Sequence, residues 1–427
     1  MTLLILAIVF FALIVCGMPI AFAIGLSSLC AILYQGMPIV LLSHYMFAGI
    51  DSFILCAVPM FILAGEIMLQ GGLTRSLTDF ADLLVGRIRG GLGHTNIMAS
   101  IFLAGISGSA TADAAAIGSL LIPAMADRGY SKAYSTAITI SGAIIGPIIP
   151  PSLTFVIYAL AVGRTSIGAL FMAGIVPGIL IGLAMMFVNY RISKNRKYEK
   201  RTHSYSRKQI WDITSKSAIV LVMPVLIVGG ILSGVYTATE SAAVASAYAL
   251  IIGFTFFRML KLSKLPQIFI NSAKISAIFV VLLATSNLFS YILVTENVPT
   301  HLADFMHALT QNKYVFLFIL NCTLFVIGCL VDLFPAILIF GPIFAPISAS
   351  YGIDPLHFGI IFCVNLLIGL NTPPVGSGLI IGAAIGGVSM EELIQEILPF
   401  LGIQLVVLFL VTYVPAFTLL VPKITGF

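Results

Sequence analysis

Charged residues are scarce in this sequence. Asp, Glu, Lys and Arg occupy 9% of its 427 positions, whereas hydrophobic residues occupy 60%. There is a single Trp, and the mean hydropathy is +1.13. This composition excludes a soluble globular protein. A membrane-spanning helix needs about 20 apolar residues. Apolar stretches of this kind lie roughly at 3–34, 50–70, 94–126, 134–162, 166–190, 217–232, 240–258, 273–294, 314–349, 356–386 and 399–422. Because the apolar N-terminus lacks a basic start and a small-residue cleavage site, we expect it to be retained rather than cleaved as a signal peptide.

Side chains suited to metal or redox chemistry are also few. The six cysteines lie within apolar stretches and form no CxxC pair, which is typical of small packed side chains. The six histidines form no metal-ligand spacing such as HExxH. The sequence therefore predicts neither a redox centre nor an organic cofactor.

The basic residues are concentrated in one segment. Nine of the 21 Lys and Arg lie within 191–216, between two apolar stretches. Such a segment is typical of a cytoplasmic loop under the positive-inside rule, and we expect no nucleic-acid partner. We place this loop in the cytoplasm and let the spans cross the membrane in alternating directions. Of all Lys and Arg residues, only Arg164, Lys313 and Lys423 then lie on the outer side of the membrane. The charge pattern thus predicts a multi-pass protein in a lipid bilayer.

An internal repeat runs through the chain at a constant separation of 223 residues. The matching residues are Gly105, Gly118, Pro123, Gly129, Gly146, Pro150, Pro151, Gly163 and Ser166 in the first copy and Gly328, Gly341, Pro346, Gly352, Gly369, Pro373, Pro374, Gly386 and Ser389 in the second. Most of them are Gly or Pro, which interrupt helices. Paired interruptions in two halves of an apolar chain indicate a transporter binding site.

Two long apolar segments, 94–126 and 314–349, are predicted to be re-entrant hairpins. The first begins and ends beside basic residues, so it should enter from the cytoplasm. The second is followed by 350–356, where Asp354 is the only charge, so it should enter from outside. The two repeats are therefore predicted to have opposite orientations. Each hairpin follows an amphipathic stretch (73–88 and 302–309), either an arm lying along the membrane surface or a solvated loop helix.

Each hairpin is followed by an apolar segment that a double proline interrupts, within GPIIPPS at 146–152 and GLNTPPV at 369–375. Proline lacks an N–H and clashes with the preceding turn, so it leaves carbonyls without intrahelical partners. In lipid these carbonyls are tolerated only when they are buried in protein or line a cavity. A monovalent cation could satisfy them; the alternative is a proline kink repaired by neighbouring groups. Two breaks at matching positions favour two ion sites.

The hairpin tips are polar. Ser107, Ser109 and Thr111 could complete an oxygen cage at the first tip. Asp113 and Asp332 are intramembrane carboxylates, which are either functional or hydrogen-bonded for structural reasons.

Two other features concern helix ends. Gly17–Pro19 either kinks one long N-terminal helix or separates two short passes, and the pattern does not decide between them. Glu240 opens a helix, where a carboxylate is predicted to cap free N–H groups rather than to act in catalysis.

Five motifs together carry a family resemblance: SGSATAD (107–113), IPAMADRGY (122–130), IGPIIPPS (145–152), YTATESAA (236–243) and GLNTPPVGS (369–377). Over essentially the whole chain, the sequence resembles the large membrane subunit of a TRAP (tripartite ATP-independent periplasmic) transporter. The resemblance implies an all-α polytopic protein of the bacterial inner membrane. Its fold would be an inverted-repeat ion-transporter fold of the elevator type, with two re-entrant hairpins and two broken helices.

The resemblance also implies a function, namely secondary active uptake driven by a sodium gradient. A periplasmic substrate-binding protein would deliver an organic acid, with sialic acid favoured and a C4-dicarboxylate next. A small membrane subunit of four helices would enlarge the scaffold. The predicted organisation is an N-terminal scaffold with its arm, a first transport repeat, the basic loop, a second scaffold with its arm, and a second, inverted transport repeat (1–92, 93–190, 191–216, 217–312 and 313–427).

Carried over residue by residue, the family's C-terminal sodium site falls on Gly328, Gly369, Thr372 and Val375, largely through carbonyls. Subtracting the repeat separation gives an N-terminal sodium site at Gly105, Gly146, Ile149 and Ser152, with Ser107 nearby. Substrate contacts are expected at Ser109, Thr111, Asn371 and Ser377, between the two tips. No catalytic residue is expected.

Three other functions fit parts of the pattern. A stand-alone sodium-coupled carboxylate symporter would share the architecture, and an ion channel would show charge rings or a repeated filter sequence, which are not seen. The sequence GISG at 105–108 resembles the nucleophile motif of intramembrane serine proteases. That chemistry needs a histidine base, and none is predicted within a span because His301, His307 and His357 fall near outer ends. A protease also leaves the repeat without explanation.

Overall fold

The computed structural model describes residues 1–163, 165–198, 200 and 205–427, except the side chains of Ile106 and Ser107. Within these residues the chain forms twenty α-helices and two short 3-10 turns, and no strand. Eight helical segments are long and apolar enough to cross a membrane. The predicted all-α polytopic fold class is confirmed.

The first repeat begins with scaffold helices and an amphipathic arm. These are α1 (Thr2–Val15), α2 (Ile20–Tyr34), α3 (Val40–Ile50), a 3-10 turn (Phe53–Cys56), α4 (Ala57–Gln70) and the arm α5 (Leu73–Val85). The Gln35 side-chain amide donates hydrogen bonds to Thr2 and to Glu296, which brings the outer ends of α1 and α2 together. Gly17–Pro19 therefore separates two short helices. Helix α3 was not among the predicted apolar segments.

The first transport repeat consists of a hairpin, a broken helix and a long helix. Its helices are α6 (Gly91–Ser107), α7 (Ala110–Ala126), α8 (Lys132–Ala143), α9 (Leu153–Val162) and α10 (Ile167–Asn195). Gly108 ends α6 in the left-handed conformation, with φ of 59°, which glycine adopts without steric cost. Ser109 then caps α7 by accepting a hydrogen bond from the Ala112 N–H.

The second half repeats this plan. It contains α11 (Arg207–Leu232), α12 (Ala238–Thr255), a 3-10 turn (Leu262–Lys264), α13 (Leu265–Thr295), α14 (Val298–Leu309), α15 (Lys313–Leu330), α16 (Leu333–Ser350), α17 (Pro355–Gly369), α18 (Ser377–Gly386), α19 (Met390–Tyr413) and α20 (Ala416–Thr425). The hairpin α15–α16, the broken helix α17–α18 and the arm α14 match the predictions. α16, α17 and α19 begin at positions 333, 355 and 390, each 223 residues after the starts of α7, α8 and α10.

The two halves differ in one scaffold element. Helix α13 is continuous over 31 residues, whereas its counterpart is divided into α3, the 3-10 turn and α4. The division falls at Asp51–Ser52, and both side chains compete with the helical hydrogen bonds of the backbone. The second half has Lys274 and Ile275 at the corresponding positions, and both tolerate a helix interior.

The contacts of the long helices show that the repeats are inverted. The Arg196 guanidinium, just after α10, lies 2.9 Å from Glu396 near the start of α19, and that carboxylate raises the pKa of Arg196. Gln404, farther along α19, donates to the sulfur of Met185, so α10 and α19 run antiparallel.

Each hairpin base is tied to the end of its own long helix. Asn189 of α10 donates to the Gly90 carbonyl (3.2 Å), and Tyr413 of α19 donates to the Tyr314 carbonyl (3.2 Å). Because α10 and α19 are antiparallel, the two hairpins enter from opposite sides. The predicted opposite orientation is confirmed.

Two segments depart from the sequence-based expectation. Residues 191–195 and 207–216 of the basic range are helical, because α10 extends to Asn195 and α11 begins at Arg207, where Ser206 and Gln209 form a capping box. The C-terminal apolar stretch 399–422 is two helices, α19 and α20, divided near Pro415. The domain boundaries given above remain predictions.

The inverted orientation predicts opposite accessibility for two exposed cationic residues. Arg128 lies at the base of the first hairpin and Lys313 at the base of the second. In a variant with its six native cysteines replaced by alanine, Lys313→Cys should react with an impermeant maleimide in spheroplasts. Arg128→Cys should react only after the membrane is opened. Labelling of both positions from the same side would contradict the fold described here.

Candidate functional site

The first hairpin tip lies directly against the first helix break. A Cβ added to Gly108 would lie 3.1 Å from the Pro151 carbonyl oxygen and 3.1 Å from the Leu153 nitrogen. A Cβ on Gly105 would lie 2.5 Å from a side-chain carbon of Pro224 on α11. The C-terminal ends of α6 and α8 and the N-terminal ends of α7 and α9 therefore converge, which brings partial charges of both signs to one place.

The second tip meets its own break in the same manner. A Cβ on Gly369 would lie 2.6 Å from the Cα and carbonyl carbon of Gly328, so the two backbones touch. The Gly376 N–H donates to the Cys329 carbonyl at 3.1 Å. Two of the four positions that the family resemblance assigns to the C-terminal sodium site, Gly328 and Gly369, are thus in contact.

Among the described residues, some carbonyls at these junctions have no hydrogen-bond donor. No donor among the fully described residues forms a hydrogen bond with the carbonyl oxygen of Gly146, Ile149 or Gly328. Gly146 and Gly328 are buried, and Ile149 is half-buried. Because an unpaired carbonyl in a low-dielectric interior is costly, these oxygens are suited to bind a cation. Ion binding at these positions stays a prediction.

Other carbonyls at the breaks are satisfied by side chains. The Ser152 hydroxyl donates to the Pro147 carbonyl within the first break. In the second break, the Cys329 thiol lies 3.3 Å from the Thr372 carbonyl and 3.2 Å from that of Pro373. The Thr372 hydroxyl donates to Ile368 at 3.0 Å. Repair by neighbouring groups, the alternative to ion binding, therefore applies to part of each break.

The remaining predicted ion-site positions are less informative. The Val375 side chain is exposed. Because it is aliphatic, only the backbone of Val375 could serve as a ligand. The Ser107 side chain lies outside the described residues.

The predicted substrate contacts lie around two spaces. Ser109 and Thr111, whose hydroxyls are 3.1 Å apart, line a cavity of about 370 Å³ between the first tip and the scaffold. Thr111 also lines a space of about 20 Å³ with Asn371 and Ser377, where the two repeats meet. Asn371 donates to the Ile140 carbonyl at 2.8 Å, which holds the second break against α8.

The intramembrane carboxylates have distinct surroundings. Asp113 is fully buried on α7, and a Cβ on Gly146 would lie 2.0 Å from its Oδ2 atom, so Asp113 sits at the first break. Asp332 accepts a hydrogen bond of 3.0 Å from Ser377 at the second tip. Glu240 accepts a hydrogen bond from the Thr237 N–H in a capping box at the start of α12, so its predicted capping role is confirmed.

The first hairpin contains a histidine, contrary to the expectation that no histidine lies within a membrane segment. His94 lies inside α6, four residues into the helix, and is buried, so a hairpin does contain a histidine. It precedes Ser107 by 13 residues on the same helix, a separation of about 20 Å at 1.5 Å per residue. His94 is therefore too distant to activate that hydroxyl.

Sequence reasoning missed two polar groups near the site. Cys329 was interpreted as a packed hydrophobe, yet its thiol contacts two break carbonyls. Glu66 was passed over within the apolar stretch 50–70, yet it lines the larger cavity. A lone carboxylate in an apolar span was a usable signal, whereas the position of Cys329 depends on tertiary contacts.

Comparisons with known proteins agree on one family. A family model described as "Tripartite ATP-independent periplasmic transporter, DctM component" matches residues 7–417. Relatives include the isethionate TRAP transporter permease protein DctMQ of Oleidesulfovibrio alaskensis, 42% identical over 95% of this chain and 64% of the relative. The sialic acid TRAP transporter large permease SiaM of Vibrio cholerae is 38% identical, covering 96% of this chain and 95% of the relative.

Two further proteins extend the comparison. The C4-dicarboxylate TRAP transporter large permease DctM of Pseudomonas aeruginosa is 38% identical over 95% of this chain and 94% of the relative. Among solved structures, the Alcanivorax borkumensis YdaH transporter aligns with a TM-score of 0.64, at 15% identity, covering 87% of this chain and 86% of that one. That likeness concerns the fold alone.

The contact between Gly369 and Gly328 predicts that Gly369→Ala is destabilising. The added methyl group would overlap the Gly328 backbone, and overpacking of this kind costs about 1–3 kcal/mol. Gly402→Ala is the matched control, because nothing lies within 4 Å of a Cβ on that helical glycine. Thermal unfolding in detergent should show a lower midpoint for Gly369→Ala only. Equal midpoints for the two variants would contradict the close approach.

Proposed function

The chain belongs to the DctM component family of tripartite ATP-independent periplasmic transporters, and we propose that it couples the uptake of an organic acid to the sodium gradient. As the large permease of such a transporter, it is a multi-pass protein of the bacterial inner membrane. We propose the driving ion, the substrate and the partners, and one structural observation supports the proposal. Two matching helix breaks, packed against two matching hairpin tips, leave carbonyl oxygens of Gly146, Ile149 and Gly328 without hydrogen-bond donors among the fully described residues.

Sodium suits this arrangement for two reasons. Its ligands in proteins are oxygens, and backbone carbonyls at half-helix C-termini supply both the oxygens and a negative partial charge. At the first site we assign Gly105, Gly146, Ile149 and Ser152, with Ser107 close by in sequence. At the second we assign Gly328, Gly369, Thr372 and Val375. An ion at the second site would take the Thr372 carbonyl from the Cys329 thiol, a weak donor that is cheaply displaced.

An organic acid suits the cavity beside the first tip. The N-terminus of α7, with the hydroxyls of Ser109 and Thr111, faces this space. A helix N-terminus favours a carboxylate through its free N–H groups and dipole. Relatives are named for sialic acid, isethionate and C4-dicarboxylates, all of which carry an acid group. We favour sialic acid, with a C4-dicarboxylate next.

The transport repeats are interlocked in a way that supports an elevator movement. A Cβ on Gly118 of α7 would lie 3.0 Å from Ile385 of α18, and a Cβ on Gly341 of α16 would lie 3.4 Å from Val162 of α9. Each hairpin thus packs against the broken helix of the other repeat. We propose that both hairpins and both broken helices move as one body against the scaffold helices. A small four-helix subunit would extend that scaffold, and a periplasmic binding protein would deliver the substrate.

Reconstitution with both partners tests the driving ion. Uptake of N-acetylneuraminate or succinate into proteoliposomes should require an inward sodium gradient and should fall to background when potassium replaces sodium. A proton gradient alone should not drive it. Uptake that is unchanged in potassium would end the sodium proposal. Uptake that proceeds without any binding protein would favour the stand-alone symporter.

The second sodium site predicts the effect of Thr372→Val. This change removes a buried hydroxyl next to the proposed ion, so the sodium concentration for half-maximal uptake should rise severalfold. Thr323→Val is the matched control, because its hydroxyl makes the same type of bond, to the Ile319 carbonyl at 2.9 Å, on an exposed face of α15. If both variants leave the sodium dependence unchanged, Thr372 does not belong to an ion site.

A further inference from the structure

Glu66 is a carboxylate on the scaffold wall of the larger cavity. It lies in α4, one turn before the cytoplasmic end of that helix, and is half-buried. Its Oε1 atom accepts hydrogen bonds from Asn271 of α13 (3.3 Å) and from Gln70 (3.4 Å). A carboxylate within an apolar span is costly and marks a functional position by default. Two amide donors hold this one at the cavity.

The wall opposite Glu66 has the reverse electrostatic character. It consists of the first hairpin tip, where Ser109 and Thr111 begin α7. The N-terminus of this 17-residue helix carries a positive partial charge, which attracts anions. The Asp113 carboxylate in its first turn is buried beside Gly146 at the break and does not line the cavity. An anion in the cavity would therefore meet attraction from the transport repeat and repulsion from the scaffold.

The larger cavity separates the first tip from α4, and Phe279 and Phe334 bound it where the second tip meets the scaffold. Residues of α4 and the first tip stand on opposite sides of about 370 Å³ of space. At the second hairpin, by contrast, Phe334 packs edge-to-face on Phe279 of α13, with ring centroids 4.5 Å apart. Since the first hairpin enters from the cytoplasm, this is the arrangement of an inward-facing state.

The repeat shows what the scaffold presents on the outer side. The position 223 residues after Glu66 is Phe289, and the position 223 residues after Ser109 is Asp332. Phe289 is buried and packs on Phe10 of α1. The outer space of about 150 Å³ beside the second hairpin is lined on its scaffold side by uncharged polar residues, Ser52, Ser286, Asn287 and Ser290. Of the described scaffold residues that line the two spaces, Glu66 is thus the only charged one.

We propose that Glu66 is a release residue: it repels the acid group of the substrate in the inward-facing state and so speeds its departure into the cytoplasm. This inference rests on the proposed function, since it assumes an anionic substrate and a transport module that moves past a fixed scaffold. Glu66 lowers the affinity of the inward-facing state for the substrate and raises the rate of substrate release. It does not change the highest concentration ratio of substrate across the membrane, because the ion gradient sets that ratio.

The size of the effect follows from Coulomb's law. Two unit charges separated by about 8 Å, roughly the width of such a cavity, change a binding constant by about fivefold to thirtyfold at effective dielectric constants of about 20–40. Glu66→Gln keeps the shape and the amide contacts but removes the charge. Glu66→Asp keeps the charge and is the conservative control.

The first experiment measures the cavity potential and needs no knowledge of the substrate. In a variant with the six native cysteines replaced, Thr111→Cys is treated with an anionic (sulfonatoethyl) and a cationic (trimethylammonioethyl) methanethiosulfonate of similar size. Adding Glu66→Gln should raise the ratio of anionic to cationic reaction rates by at least about fivefold. Adding Glu66→Asp or Phe289→Leu should leave the ratio unchanged. A ratio that does not respond to Glu66→Gln would overturn the proposal.

The second experiment measures affinity in the inward-facing state. Binding of N-acetylneuraminate and succinate to the detergent-solubilised transporter, in saturating sodium, should be about fivefold to thirtyfold tighter in Glu66→Gln than in the wild type. Equal or weaker binding would overturn the proposal, and weaker binding would mean that the carboxylate holds the substrate. If the wild type bound each probe as tightly in potassium as in sodium, the sodium proposal would fail. The thiol reaction rates would still decide the role of Glu66.

Discussion

A peptide carbonyl that leaves a helix inside a bilayer must find another partner, because lipid offers none and an unpaired group costs several kcal/mol. This constraint accounts for the construction of the transport repeats. Each double proline breaks a helix, and the tip of a hairpin covers each break. Glycines at the contacts, such as Gly328 against Gly369, allow the backbones to meet. Some of the exposed oxygens receive a side-chain donor, and those that do not are the positions at which we propose that a small cation binds.

The breaks and hairpins were predictable because Gly and Pro act locally, through missing N–H groups and permitted dihedral angles. The repeat extended each local signal to a second copy. Helix ends were less predictable, since they depend on caps such as Ser206 with Gln209 and on contacts such as Gln35 with Glu296. Helix α3 was missed because its short sequence, with His44 and Tyr45, does not resemble a span. Its position is fixed by packing on α13.

The backbone segments that meet at the two breaks were predictable from the sequence, but the side chains that contact them were not. Matching backbones carry different side chains in the two repeats: Thr372 corresponds to Ile149, and Cys329 to Ile106. The second site thus has a hydroxyl and a thiol where the first has aliphatic groups. If both proposed sites bind sodium, these different side chains should give them different ion affinities. Such differences arise from contacts between segments that are far apart in sequence, and a pattern of Gly and Pro does not encode them.

The antiparallel arrangement of α10 and α19, fixed by Arg196 with Glu396, has a consequence for how such a chain could arise. One repeat crosses the bilayer an odd number of times. Its three scaffold passes (α1, α2, and α3 with α4), its broken helix and its long helix make five, and the hairpin adds none because it returns to the side from which it enters. When a unit with an odd number of membrane crossings is duplicated in tandem, the second copy starts on the opposite side of the membrane from the first. The second copy is therefore inverted without any further change in sequence. Simple doubling of a single unit therefore suffices to produce a carrier with one gate toward each compartment.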